Sequence, residues 1–160
     1  IYPVGVPPAL DGEFLWKKHD TTVLTPPTRD YAAGFNGVLS LTGSSYAPPA
    51  SGTRVMNLSN ASPNLRIEIT DGGLGAPISV DAVVDAANKV QVLTAPNTSQ
   101  VSLVLVPGSG QFRGSFMNGT RKVTFKGVFW STSTSGSGMG WFLDGTGARE
   151  SGRVLLTPLP

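Results

Sequence analysis

The stretch GQFRGSFMNGTRKVTFKGVFW, residues 110–130, contains two runs in which every second residue is apolar or glycine. The residues that share one face are Phe112, Gly114 and Phe116 in the first run and Val123, Phe125, Gly127 and Phe129 in the second. A period of two is the pattern of a β-strand with one buried face. Asn118-Gly119 between the runs is a turn signal. The stretch therefore predicts two antiparallel strands joined by a tight turn.

Similar short runs continue through the chain from residue 35 onward. Further strands are predicted at 35–43, 53–59, 64–70, 89–95, 100–108, 138–145 and 152–160. The runs 89–95 and 100–108 are expected to form a hairpin-like pair, and residues 79–87 fit a strand or one helical turn, with the strand favoured. Strands spaced about ten residues apart predict an all-β fold, an antiparallel sandwich or barrel of about nine to eleven strands.

The N-terminal segment differs in composition from this strand-rich region. Five prolines interrupt it, namely Pro3, Pro7, Pro8, Pro26 and Pro27. Proline cannot donate to a β-ladder, so such a segment does not fit a central strand. The sequence thus predicts an extended proline-rich arm over 1–34 and one β-domain over 35–160.

The composition excludes several kinds of site. The 160 residues include no cysteine and a single histidine, His19, which rules out disulfides, thiolate chemistry and any site built on two imidazoles. The net charge of +2 is too small to indicate a nucleic-acid partner, and no apolar run is long enough to cross a membrane. His19 lies in WKKHD without a nucleophile motif elsewhere. We expect no catalytic residue, no metal and no cofactor.

The last third of the chain carries a family resemblance, over residues 108–157. Its motifs are a G-x-F-x-G-x-F strand, an F-x-G-V strand, a G-x-G-x-F-L strand and a final S-G-x-V strand. The matching positions are Phe112, Gly114, Phe116, Phe125, Gly127, Val128, Gly138, Gly140, Phe142, Leu143, Ser151, Gly152 and Val154. This layout resembles the C-terminal β-domain of large secreted proteins from Verrucomicrobia- and Planctomycetes-type bacteria. The resemblance implies a secreted, extracellular or cell-surface β-module and no particular activity.

The first ten residues, IYPVGVPPAL, contain no charged side chain. Most of the bulk alternates with a period of two, at Tyr2, Val4, Val6 and Leu10, and Ile1 precedes them. Pro3 and Pro7 share one edge, so a strand here could form hydrogen bonds fully through only one side. The segment either folds back onto its own barrel or enters a groove of a neighbouring subunit by β-augmentation.

The second arrangement, repeated head to tail, builds a filament. A compact β-domain with an apolar proline-rich arm is also similar in architecture to subunits of pilus-like extracellular filaments of environmental bacteria. The leading functional prediction is therefore a structural subunit that polymerises with copies of itself through this arm.

Two surface features support an alternative function, a carbohydrate-binding or adhesive module at the cell surface. Trp16, Trp130 and Trp141 could stack against sugars, although core packing is the other interpretation. A basic patch from Arg113, Arg121, Lys122 and Lys126 could contact anionic glycans or only solvate the sheet.

Four sequons, at Asn57, Asn60, Asn97 and Asn118, are candidate glycosylation sites.

Overall fold

The computed structural model describes residues 9–20, 31–131, 136–145 and 149–160. The strands are β1 Ala9–Lys18, β2 Phe35–Ser44, β3 Leu65–Asp71, β4 Ile78–Val84, β5 Val90–Val92, β6 Ser102–Val106, β7 Gln111–Asn118, β8 Arg121–Ser131, β9 Gly136–Asp144 and β10 Glu150–Pro158. A single 3-10 turn, Val55–Asn57, is the only helical element in these ranges. The predicted all-β class is confirmed, with a strand count inside the predicted range. No helix of the described ranges has the length and apolar character needed to cross a bilayer.

Eight strands form one antiparallel sheet in the order β5-β4-β3-β10-β9-β8-β7-β6. Its two edge strands, β5 and β6, lie against each other, so the sheet curls into a nearly closed barrel. The pair β7–β8 predicted from residues 110–130 is present, with Asn118 opposite Arg121 across the tight turn. Of the two predicted architectures, sandwich and barrel, the protein has the barrel.

The final strand lies in the middle of this sheet. The alternation of Val154 and Leu156 with Leu155 and Thr157 predicts a paired strand that ends at the following prolines. In the structure β10 pairs with β9 on one side and with β3 on the other, and it ends at Pro158. Val154 and Leu156 are fully buried. This prediction is confirmed.

Two local predictions are wrong. The run 53–59 contains the 3-10 turn Val55–Asn57 instead of a strand. Val55 and Leu58, three positions apart, are both buried, and this spacing fits a turn and not a strand. The runs 89–95 and 100–108 are not hydrogen-bonded to each other. The amide of Asn97 instead bonds both backbone groups of Val101, at 2.9 and 3.1 Å, and folds the connection into a loop. For residues 79–87, the favoured strand is present as β4.

The barrel interior is filled by phenylalanine rings that lie directly opposite glycines of the adjacent strand. The pairs are Phe112 with Gly127, Phe125 with Gly114, and Phe142 with Gly152. A Cβ placed on any of these glycines would come within 2.0–2.3 Å of the facing ring. Alternation of small and large residues is how a small barrel fits its taper. The G-x-F motifs of the sequence are therefore packing motifs of the core.

One polar side chain, Asn64, is completely buried beside β3 and β4. Its Nδ2 donates to the carbonyls of Ser59 and Val84, at 2.9 and 3.1 Å, and its Oδ1 accepts from the Val84 amide at 2.8 Å. A buried amide is tolerated when its hydrogen bonds are made. Asn64 thus ties the end of β4 to the loop that precedes β3.

The two remaining strands, β1 and β2, form a separate hairpin-like sheet. Ten residues of β1, all within the segment expected to be an arm, pair with the predicted strand β2. The pairing runs from Ala9 opposite Ser44 to Lys18 opposite Phe35. We call this two-stranded sheet the N-terminal sheet.

Candidate binding groove

One face of the N-terminal sheet is almost entirely apolar. Side chains alternate along a strand, and directly opposed residues share a face. The apolar members on this face are Leu10, Phe14, Trp16, Phe35, Leu39 and Leu41. The opposite face carries mainly polar and charged side chains, with Leu15 and Val38 as an apolar pair. The N-terminal sheet is therefore amphipathic, and its apolar face is turned toward the barrel.

Two tyrosines attach the segments next to this sheet to the barrel. The Ser151 amide of β10 donates to the Tyr31 hydroxyl at 3.0 Å, and the hydroxyls of these residues lie 2.5 Å apart. The Tyr46 hydroxyl donates to the Pro107 carbonyl at 2.5 Å, while its ring lies over Gly110. Because the two attachments are at opposite ends of β2, they hold the N-terminal sheet across the outside of the barrel.

Between these attachments lies an open recess of about 600 Å³. The wall on the N-terminal sheet includes Trp16, Phe35 and Leu39, and the wall on the barrel includes Trp141 and Leu143. A second recess of about 720 Å³ continues toward Tyr46 and is lined by Leu41, Met139, Trp130 and Trp141, among others. Trp141 borders both recesses. We call the pair of recesses the aromatic trough.

The aromatic walls of the trough are accessible and held in place. Trp16 is 54% exposed and Trp141 is 49% exposed, although both are large apolar side chains. The Trp16 and Tyr31 rings each meet Phe35 edge-on, with centroids 5.2 and 5.5 Å away. Edge-to-face contacts of this kind fix ring orientation. The trough thus offers broad aromatic faces beside the Tyr31 and Ser151 hydroxyls.

The structure brings together all three tryptophans singled out from the sequence. Trp16 and Trp141 line the first recess, and Trp130, which is half-buried, lines the second. Tyr31 and Tyr46, which the sequence groups with the tryptophans as possible stacking residues, also border the recesses, whereas sequence reasoning missed Phe35 and Leu39 as parts of the same walls. The alternation in 35–43 indicated a strand but gave no sign of the surface that it faces.

Of the five residues predicted to form an intermolecular arm, only Leu10 lies within the described part of the chain. Ile1, Tyr2, Val4 and Val6 lie outside the described residues. Leu10 belongs to β1, pairs with Gly43 and is 59% exposed. Its side chain is available to a partner, while its backbone is part of the N-terminal sheet.

The four sequons differ in accessibility. Asn57 and Asn60 are exposed, and Asn60 accepts a hydrogen bond from Arg54 at 2.6 Å. Asn97 and Asn118 are partly buried, and their amides bond Val101 and Asp144, respectively. Asn57 and Asn60 are thus the more accessible candidate glycosylation sites.

The ionisable groups whose pKa values are shifted make hydrogen bonds that hold parts of the fold together. Arg66 binds Asp81 across neighbouring strands at 2.8 and 3.1 Å, and this hydrogen bonding and charge lower the pKa of the Asp81 carboxyl. Burial raises the pKa of the Tyr46 hydroxyl, which holds the attachment to Pro107. Within the described ranges, no three histidine or acidic side chains are grouped as metal ligands.

Comparisons with protein-family models, curated proteins and solved structures found no match to this chain. The resemblance to β-domains of secreted bacterial proteins therefore stays a prediction. Fold and surface together describe an all-β, nearly closed barrel with an amphipathic two-stranded sheet held over its outer face. The aromatic trough lies between them.

Proposed function

We propose that this protein is an extracellular carbohydrate-binding or adhesive module and that its ligand lies in the aromatic trough. The observation that carries the proposal is that Trp16 and Trp141 line one recess, each about half exposed. A sugar ring presents apolar C–H groups on its face and hydroxyls around its rim. Aromatic rings match the face, and the Tyr31 and Ser151 hydroxyls match the rim.

The amount of exposed apolar surface supports a binding role. Beside the two tryptophans, the exposed large apolar residues on or near the trough include Phe14, Leu39, Leu41, Val128 and Met139. Contiguous apolar surface rimmed by polar groups is typical of a ligand or partner site. Because exposed apolar surface of this kind lowers solubility, its presence favours a binding role.

Replacing Trp141 or Trp16 with alanine is expected to weaken binding to an oligosaccharide ligand by on the order of ten-fold or more, because a stacking face is lost. The measurement is a glycan array followed by titration calorimetry on the best ligand. Leu15→Ala is the matched control, since Leu15 is 65% exposed on the other face of β1. Unchanged affinity in both tryptophan variants, with intact thermal melts, would reject the trough as the site.

A second candidate function is the homopolymeric filament subunit. In the described part of the chain, β1 and β2 pair only with each other, so each has a free edge for strand addition. The apolar trough next to these edges would accept the alternating side chains of residues 1–10 from a neighbouring copy. Tyr2, Val4 and Val6 would then be covered in a head-to-tail polymer.

Deletion of residues 1–8 is expected to abolish assembly under this second proposal, while the barrel and β1 remain folded. Val4→Asp should have the same effect, because a carboxylate cannot be buried in an apolar groove without large cost. Val4→Leu is the control and should still assemble. Negative-stain microscopy and size-exclusion chromatography give the readout. If the full chain is monomeric at all concentrations tested, or if the deletion variant assembles normally, the filament proposal is wrong.

A further inference from the structure

The outer face of the barrel carries a transverse row of cations around Trp141. The strand register places Arg113 of β7 opposite Lys126 of β8, Lys126 opposite Trp141 of β9, and Trp141 opposite Arg153 of β10. All four side chains are exposed. Adjacent strands lie about 4.8 Å apart, so the row spans roughly 15 Å. We call these four residues the cationic row.

No acidic side chain belongs to this row. Val104 continues it beyond Arg113, and Thr70 continues it beyond Arg153. Two acids lie near its Arg153 end: Glu68, one row away opposite Leu155, and Asp71, which accepts a hydrogen bond from Thr70 at 2.9 Å. Arg66 is paired with Asp81 and Arg121 with Asp144, and neither of these ion pairs involves the cationic row.

Such an arrangement costs stability. Like charges directly opposite each other on a sheet repel, and Arg113 faces Lys126 in this way. The Lys126 ammonium lies 5.3 Å from the centroid of the Trp141 ring, which accounts for only one of the three cations. An anionic ligand would neutralise the remaining charge.

The row also borders a concave surface. A depression of about 580 Å³ is lined by residues that include Gln111, Arg113, Lys126 and Trp141. Guanidinium groups bind carboxylates and sulfates in a bidentate manner, and an ammonium adds a point charge. Trp141 belongs both to this depression and to the aromatic trough.

We propose that the cationic row selects acidic polysaccharides, in which a sugar ring stacks on Trp141 while carboxylate or sulfate groups bind Arg113, Lys126 and Arg153. This inference rests on the carbohydrate-binding function proposed above and specifies its ligand class. Sequence reasoning found Arg113 and Lys126 but missed Arg153, which only the pairing of β9 with β10 brings into the row. Arg121, once grouped with them, is held by the buried Asp144.

The test is titration calorimetry of the full chain with polygalacturonate, dextran sulfate and neutral dextran, at low and high ionic strength. The triple variant Arg113→Gln, Lys126→Gln, Arg153→Gln is expected to lose on the order of ten-fold or more in affinity for the acidic polymer. The control variant Lys17→Gln, Asn36→Asp, Lys89→Gln lowers the net charge by the same three units at exposed positions outside the basic patch and the row. It should retain nearly wild-type affinity.

The outcomes separate the two proposals. Polygalacturonate and dextran sulfate tell whether the anion is a carboxylate or a sulfate. Equal losses in both triple variants would show a general effect of net charge and overturn the inference. It is also overturned if single-stranded DNA binds as tightly as the acidic polymers, or if Trp141→Ala leaves acidic binding unchanged. If the triple variant binds every polymer as the wild type does, while Trp16→Ala and Trp141→Ala do not, the inference fails and the carbohydrate-binding function stands.

Discussion

Gly127→Ala is expected to lower the free energy of unfolding by about 3 kcal/mol, at the upper end of the cost of overpacking a core. The added Cβ would lie 2.3 Å from the Met139 carbonyl oxygen and 2.3 Å from Cζ of Phe112. A ring can rotate away, but the backbone oxygen of β9 cannot move without disturbing the ladder. The change in the free energy of unfolding is measured by urea denaturation, monitored through tryptophan fluorescence.

Gly108→Ala is the matched control for this substitution. Gly108 lies in the turn between β6 and β7, and a Cβ there would meet nothing within 4 Å. Its effect should stay within about 0.5 kcal/mol, as for most surface substitutions. Equal stability of the two variants would contradict the pairing of glycines with phenylalanine rings as the basis of the core.

Asn64→Leu is expected to destabilise the barrel by about 4 kcal/mol, because it leaves a buried backbone amide and a part-buried carbonyl each without a hydrogen bond. Leucine has the same number of side-chain heavy atoms in the same branched arrangement and is somewhat larger, so no cavity forms. The groups affected are the Ser59 carbonyl and the Val84 amide, whereas the Val84 carbonyl keeps its hydrogen bond from Arg54 Nε at 2.8 Å. Thermal and urea denaturation both give the measurement.

Asn60→Leu makes the same chemical change at an exposed position four residues away. It removes only the hydrogen bond from Arg54, so a loss of about 1 kcal/mol or less is expected. If Asn64→Leu proves no more destabilising than Asn60→Leu, the Asn64 side chain does not hold β4 to the preceding loop.

Much of the barrel could be predicted because many of its strands pair with the next strand along the chain. Strands β6 to β10 follow one another as neighbours, and the alternation around Phe112 and Phe125 defines their inner face. The turn at Val55–Asn57 could not be read in this way, because Met56 and Asn57 adopt left-handed φ values of 57° and 53°. Asparagine adopts this conformation more often than most residues, but methionine rarely does, so the sequence at Met56 did not indicate the turn.

The binding surface depends on pairings between distant parts of the chain. The tryptophans were identified from their residue type alone. That Trp16 faces Trp141 follows from the attachments of Tyr31 and Tyr46, which no periodicity indicates. Arg153 reaches the cationic row only through strand register. A register shift of one residue would place it on the inner face.

The position of β10 determines the order in which the barrel can be completed. β3 ends at Asp71, and its partner β10 begins at Glu150. Until that late segment is available, β3–β5 and β6–β9 remain two open sheets with unpaired edges. Pairings of such long range slow folding and prolong exposure of edges that aggregate. When the chain emerges from a ribosome or a secretion channel N-terminus first, the barrel therefore stays incomplete and accessible to a chaperone until β10 has emerged.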